Sequence, residues 1–108
     1  MTHLRTIQPT EFDALAQGSP SPVVALLEAG WCAPCDLMGP ILESLAREFA
    51  DQAAFVKLDA EEDPTLARRL GISSVPTLLV FRDGQEIIRK VGACSNEELR
   101  ALLRRVLQ

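Results

Sequence analysis

Hydrophobic positions change their period several times along the chain, and each change marks an element. Leu4 to Ile7 predicts a short opening strand. Thr10 stands where a helix N-cap belongs, with Phe12, Leu15 and Ala16 recurring behind it. Gly18-Ser19-Pro20-Ser21-Pro22 then breaks the pattern. Val23 to Ala29, apolar except for Glu28, predicts a strand buried on both faces, as at the centre of a parallel sheet. From Leu37 the spacing turns helical: Leu37, Met38, Ile41, Leu42, Leu45 and Phe49 make one apolar face. Pro40 lies inside that helix and predicts a kink, because it brings no N–H to the helical ladder.

Further along, Ala54 to Asp59 predicts another strand. Asp63-Pro64 supplies an N-cap followed by proline at the first helical position, and Gly71 closes that short helix. Thr77 to Phe81 predicts a strand that turns through Arg82-Asp83-Gly84-Gln85, where Asp-Gly suits the positive φ angles of a two-residue hairpin. Glu86 to Val91 returns as its partner. Ser95-Asn96-Glu97-Glu98 opens a last helix carrying Leu99, Leu102, Leu103 and Val106. The order β-α-β-α-β-α-β-β-α predicts an α/β fold: a central sheet of about five strands with helices on both faces. Alternation implies parallel strands with right-handed crossovers, and the hairpin adds an antiparallel edge, so the sheet is mixed.

Length then sets the scale. The chain has 108 residues, 47% hydrophobic and 24% charged, which fits one domain over residues 1–108. A chain of about 100 residues buries well over half its surface without disulfide staples, so structural need does not explain its cysteines. The net charge is −4, and Lys and Arg are scattered, which excludes the basic patch of a nucleic-acid binder. From Met1 to Glu11 there is no apolar stretch of the roughly 7–15 residues a secretory signal needs. No segment approaches the roughly 18 apolar residues of a membrane span. The expected location is the cytoplasm, where thiols are kept reduced and a close cysteine pair points to catalysis or metal binding.

That pair is Cys32 and Cys35, in Trp31-Cys32-Ala33-Pro34-Cys35 at the junction of a buried strand and a helix start. Residues three apart share a helical face, so the sulfurs can meet. Unpaired N–H groups and the positive dipole end at a helix N-terminus stabilise a thiolate, which is the nucleophile of disulfide exchange. Cys32, nearest the helix start, is the expected exposed, low-pKa sulfur, and Cys35 the shielded resolving thiol. A zinc site is the rival, but it usually takes four Cys or His ligands, and only Cys94 and His3 remain to supply them. No metal and no bound cofactor are expected.

At these residues the chain resembles thioredoxins. The likeness rests on Trp31-Cys32, Pro34-Cys35, Pro40, Lys57, Asp59, Val75-Pro76-Thr77, Gly84 and Val91-Gly92, and so spans nearly the whole length. It implies the thioredoxin fold and a protein-disulfide reductase: Cys32 attacks a substrate disulfide, and Cys35 resolves the mixed disulfide. It further implies re-reduction by an NADPH-dependent, flavin-containing thioredoxin reductase, and a cis peptide before Pro76. A shallow apolar surface of Trp31, Ala33, Pro34, Val75, Pro76, Gly92 and Ala93 would receive extended segments of disulfide-containing proteins. Neither nucleic acid nor membrane is an expected partner, and a monomer is the expected working unit.

The sequence departs from that family in four places. Leu26 stands where thioredoxins commonly carry a buried aspartate, Glu28 where they carry a second tryptophan, Ala33 where glycine is usual, and Asp36 where a basic residue is frequent. Asp36 sets negative charge beside a developing thiolate and opposes it. Lys57 loses its family partner, and an unpaired buried ammonium is costly. Glu28 lies on the same strand face as Leu26, so it could pair with Lys57 and accept the Cys35 proton. The plainer alternative is a solvated glutamate at the strand end, with Lys57 paired to Asp59 or reaching water. Cys94 reads either as a third redox thiol or as a small buried hydrophobe. Two other functions compete with the reductase: a binding module of weak redox activity, which the missing aspartate would suit, and an oxidant or isomerase.

Overall fold

A computed structural model describes residues 3–107; Met1 and Thr2, part of the segment read for a targeting signal, lie outside it, as does Gln108. Five strands form one mixed sheet: β1 (Leu4–Thr6), β2 (Val23–Glu28), β3 (Ala54–Asp59), β4 (Thr77–Arg82) and β5 (Gln85–Val91). Four helices connect or follow them: α1 (Phe12–Gly18), α2 (Ala33–Glu48), α3 (Pro64–Arg69) and α4 (Asn96–Leu107). Among the described residues no helix is long and apolar enough to cross a membrane.

Spatial order in the sheet is β1-β3-β2-β4-β5, which puts the most apolar strand, β2, in the middle. Val23 to Leu27 are buried on both faces. Val24 and Leu26 join a cluster with Met38, Leu42 and Leu45 of α2 and Leu99 and Leu103 of α4. Their neighbours Val23, Ala25 and Leu27 join Phe12 and Ala16 of α1 and Leu66 of α3 on the opposite face. The period-2 alternation of a strand thus divides one apolar run between two cores.

Local signals account for most boundaries. Asp63 caps α3, its side chain accepting the Leu66 N–H at 3.0 Å. Asp83 and Gly84 take φ of 54° and 77° in the β4–β5 turn. Ser95 and Glu98 cap α4 reciprocally, with Glu98 N–H donating to Ser95 Oγ at 3.1 Å. Thr10 is not an N-cap. It lies inside a 3₁₀ turn, Pro9–Glu11, that precedes α1, and the Glu11 carboxylate accepts the Gln8 N–H instead. Helix α2 runs unbroken through Pro40.

Two further expectations are corrected. Strand β4 runs antiparallel to β2 rather than parallel. With six residues, α3 rises only roughly 9 Å, whereas a parallel crossover must travel back along a strand of roughly 20 Å. The chain therefore re-enters the sheet from the end at which β3 left it. Leu37, expected on the apolar face of α2, is 67% exposed. Met38, Leu42, Leu45 and Phe49 face the sheet, and Leu37 sits about 100° around the helix from Met38.

Candidate active site

Strand β2 delivers the chain through Ala29-Gly30-Trp31 to Cys32, the N-cap residue of α2. Cys32 keeps an extended backbone while its Sγ accepts the N–H of Cys35 at 3.1 Å. Proline suits the first turn between them, where an N–H would have no helical acceptor. A disulfide joins Cys32 and Cys35, whose Cα atoms are 5.2 Å apart. A backbone donor and the helix N-terminus thus both point at the Cys32 sulfur, a setting of the kind that stabilises negative charge. Exposure does not separate the two cysteines as expected: Cys32 is 2% and Cys35 3% exposed. Capping turns the Cys32 sulfur toward the helix, and both residues pack with Ala29 and Val75. The exposed members of the motif are Ala33, Pro34 and Trp31, the last at 71%.

The opposite wall comes from the loop before β4. The Val75–Pro76 peptide is cis, as the resemblance implied. The Val75 carbonyl oxygen lies 3.7 Å from Cys32 Sγ, where the dithiol form can donate to it. The Pro76 carbonyl accepts the Gly92 N–H at 2.8 Å, which docks the loop after β5 beside the site. Gly92 has φ of 88°, a conformation that favours glycine. Val75 therefore packs against the disulfide, and Pro76 and Gly92 join it through the cis peptide and this hydrogen bond, with Pro76 buried and Ala33, Pro34 and Ala93 exposed. Leu37, two residues after Cys35, and Val91, the residue before Gly92, are also exposed.

Behind Cys35 lies a cleft of about 370 Å³, lined by Cys35, Asp36, Glu28, Lys57, Glu43 and Leu4. Glu28 ends β2 on the same face as Leu26, in register with Asp59, and is half-buried. Burial pushes its carboxyl above the ordinary glutamate value; Lys57 opposes that shift, and Asp36 and Asp59 reinforce it. Glu28 is thus partly buried at the strand end and lines the open cleft it shares with Cys35 and Lys57. It closes no direct ion pair with Lys57, which acts on it through space. Asp59 is engaged elsewhere, accepting the Glu61 N–H at 2.8 Å.

Glu61 was missed by the sequence reading. Its carboxylate accepts the Trp31 indole N–H at 2.7 Å across 30 positions of chain, and no local pattern announces such a contact. Together the two side chains border a second cleft, about 500 Å³, between Trp31 and α3, lined also by Ala67, Arg68, Ile72 and Val75. Cys94 is half-buried against the α2/α4 core, and burial raises its thiol pKa, which fits a small hydrophobe better than a reactive thiol.

Comparison with known proteins gives the same answer as the geometry. The thioredoxin family profile matches residues 3–105. A thioredoxin of Alicyclobacillus acidocaldarius is 37% identical over 103 residues, covering 95% of this chain and 97% of its own. A thioredoxin of Staphylococcus aureus is 41% identical over 75 residues, 69% of this chain and 72% of its own. Thioredoxin 1 of Synechococcus elongatus is 40% identical over 72 residues, 67% of each chain. Since the match runs from β1 through α4 and takes in the cysteine pair, the chain belongs to the thioredoxin family and is a thiol–disulfide oxidoreductase with protein-disulfide reductase activity.

Proposed function

We propose that the chain works as one thioredoxin domain, a monomeric cytoplasmic electron carrier in which Cys32 is the nucleophile and Cys35 the resolving thiol. The observation that carries this assignment is the Cys35 N–H donating to Cys32 Sγ at the start of α2. In the reductive cycle the Cys32 thiolate attacks one sulfur of a substrate disulfide. A Cys32–substrate disulfide forms, and the other substrate sulfur leaves as a thiolate. Cys35, once deprotonated, attacks Cys32 Sγ, closes the Cys32–Cys35 disulfide and releases the second substrate thiolate. Two electrons pass to the substrate, and a thioredoxin reductase fed by NADPH returns them.

Trp31, Ala33, Pro34, Val75, Pro76, Gly92 and Ala93 form the surface against which the substrate segment lies. Glu28, through the cleft it shares with Cys35, takes the proton that Cys35 gives up. Lys57 and Asp36 set how readily it does so, by opposite charges.

The direct test measures turnover of a protein disulfide with dithiothreitol as donor, and measures trapping with the pre-reduced variants after the dithiothreitol has been removed. Cys32→Ser is expected to lose turnover. Cys35→Ser is expected to trap a mixed disulfide through Cys32, detectable by mass under non-reducing conditions. Trapping by Cys32→Ser instead would reverse the two roles, and turnover by either serine variant at the wild-type rate would remove the dithiol mechanism.

A further inference from the structure

The second cleft, between Trp31 and α3, adjoins the disulfide through Trp31 and Val75 but belongs to neither the capping geometry nor the proton path. Its walls are largely apolar: the Trp31 indole, Pro64, Ala67, Ile72 and Val75. Two charged side chains border it, and their circumstances differ. Glu61 is already engaged, its carboxylate accepting the indole N–H at 2.7 Å. Arg68 is exposed on α3, and among the described residues no carboxylate pairs with it. The neighbouring arginine, Arg69, by contrast is tied to Asp13 at 2.7 Å. Asp63, the N-cap of this helix, is turned to the Leu66 N–H. The cleft thus offers an apolar floor and one uncommitted cation beside a reactive disulfide.

We propose that Arg68 sets the selectivity of this cleft: where the segment that carries the target cysteine lies along it, the guanidinium favours a carboxylate beside the apolar side chain next to that cysteine. The proposal deepens the reductase reading and rests on Cys32 being the attacked sulfur's partner on this face. The preferred substrate is then a disulfide in a local sequence of an apolar residue with Asp or Glu close to the cysteine.

The test uses short peptides whose single cysteine is held in a mixed disulfide with thionitrobenzoate, so that attack by Cys32 releases a coloured thiol. Each peptide carries leucine beside the cysteine and Glu, Gln or Lys at one scanned position. Rates are expressed relative to a small neutral disulfide, bis(2-hydroxyethyl) disulfide, measured on the same protein. At low salt the glutamate peptide is expected to show a kcat/KM about three- to fivefold above the lysine peptide at the best position, the scale of a partly exposed ion pair. The difference is expected to shrink as ionic strength rises. Arg68→Gln should abolish the preference, and Arg68→Glu should reverse it. Trp31 is the chain's only tryptophan, so titration with the unreactive Cys→Ser glutamate peptide should also perturb indole fluorescence.

Equal rates for the three peptides in the wild type overturn the proposal, as does a preference that survives Arg68→Glu. A preference for lysine overturns it as well, since it would assign selection to Glu61. Failure on the small disulfide itself would instead remove the reductase reading, so the two failures are distinguishable.

Discussion

Cys32 Sγ is at once the cap of a helix and the atom that exchanges electrons, and Glu28 is the ionisable side chain whose setting most distinguishes this site. Burial of Glu28 disfavours its carboxylate more than the attraction of Lys57 favours it, and Asp36 and Asp59 add repulsion. The folded chain therefore holds the Glu28 proton more tightly than the unfolded chain does. The stability tied to that proton is present below the unfolded glutamate pKa of about 4.3 and is lost as pH rises through the elevated folded value. Glu28→Gln is accordingly expected to be more stable than wild type at neutral pH in urea unfolding, with the advantage fading as the pH falls through the elevated folded value and gone below about 4.3. The same variant separates a structural role from proton transfer. Resolution of the mixed disulfide by Cys35 should slow and lose a pH dependence in the Glu28 range. A Gln variant that is less stable at neutral pH would contradict the burial argument, and an unchanged resolution profile would remove the relay.

Among elements, those specified by local chemistry were legible in the sequence. Asp63-Pro64, Asp83-Gly84 and the Ser95–Glu98 pair each act over three or four residues, and each performs in the fold the task its residue types suit. Thr10 was misread because a competing cap, Gln8 with Glu11, starts a 3₁₀ turn two residues earlier. Leu37 was misread because its neighbour Met38, about 100° around the helix, is the one that faces the sheet. Helix α3 is short enough for its cap to matter: six residues make too few internal hydrogen bonds to hold a helix alone. Asp63→Ala is expected to cost about 1 kcal/mol in urea unfolding. Asp63→Asn, which keeps an acceptor, should recover most of it. A loss equal in the two variants would mean that the carboxylate charge, not the cap, is what α3 needs.

On the scale of the whole molecule, the sheet both builds the site and ties its two cores together. Sequence reasoning found the cysteine pair because strand end, cap and helix start are contiguous there. It needed the family likeness to bring Val75, Pro76 and Gly92 to the disulfide, and it missed Glu61 and Arg68, whose placement depends on how α3 folds back over β2 and β3. The reversed direction of β4 has the same origin, a crossover too short to return along the sheet. Every residue of β2 between Val23 and Leu27 belongs to one core or the other, so neither core can melt while the central strand stays paired. Leu42, buried in the α2/α4 core, and Phe12, buried in the α1/α3 core and edge-on to Phe81 at 5.4 Å, probe the two sides. Leu42→Ala is expected to cost about 2–5 kcal/mol and Phe12→Ala about 3–5 kcal/mol, large fractions of the roughly 5–15 kcal/mol that holds a domain folded. In both variants Trp31 fluorescence and far-ultraviolet circular dichroism should give coincident urea transitions, because one cooperative unit carries both signals. The site lies at the end of the shared strand, so damage to the remote α1 core should reach Trp31 at the same denaturant concentration as it reaches the helices. A Phe12→Ala protein that loses ellipticity in a first step while Trp31 keeps its native emission would show instead that the cores are separable, and that the active-site half of the sheet stands on α2 and α4 alone.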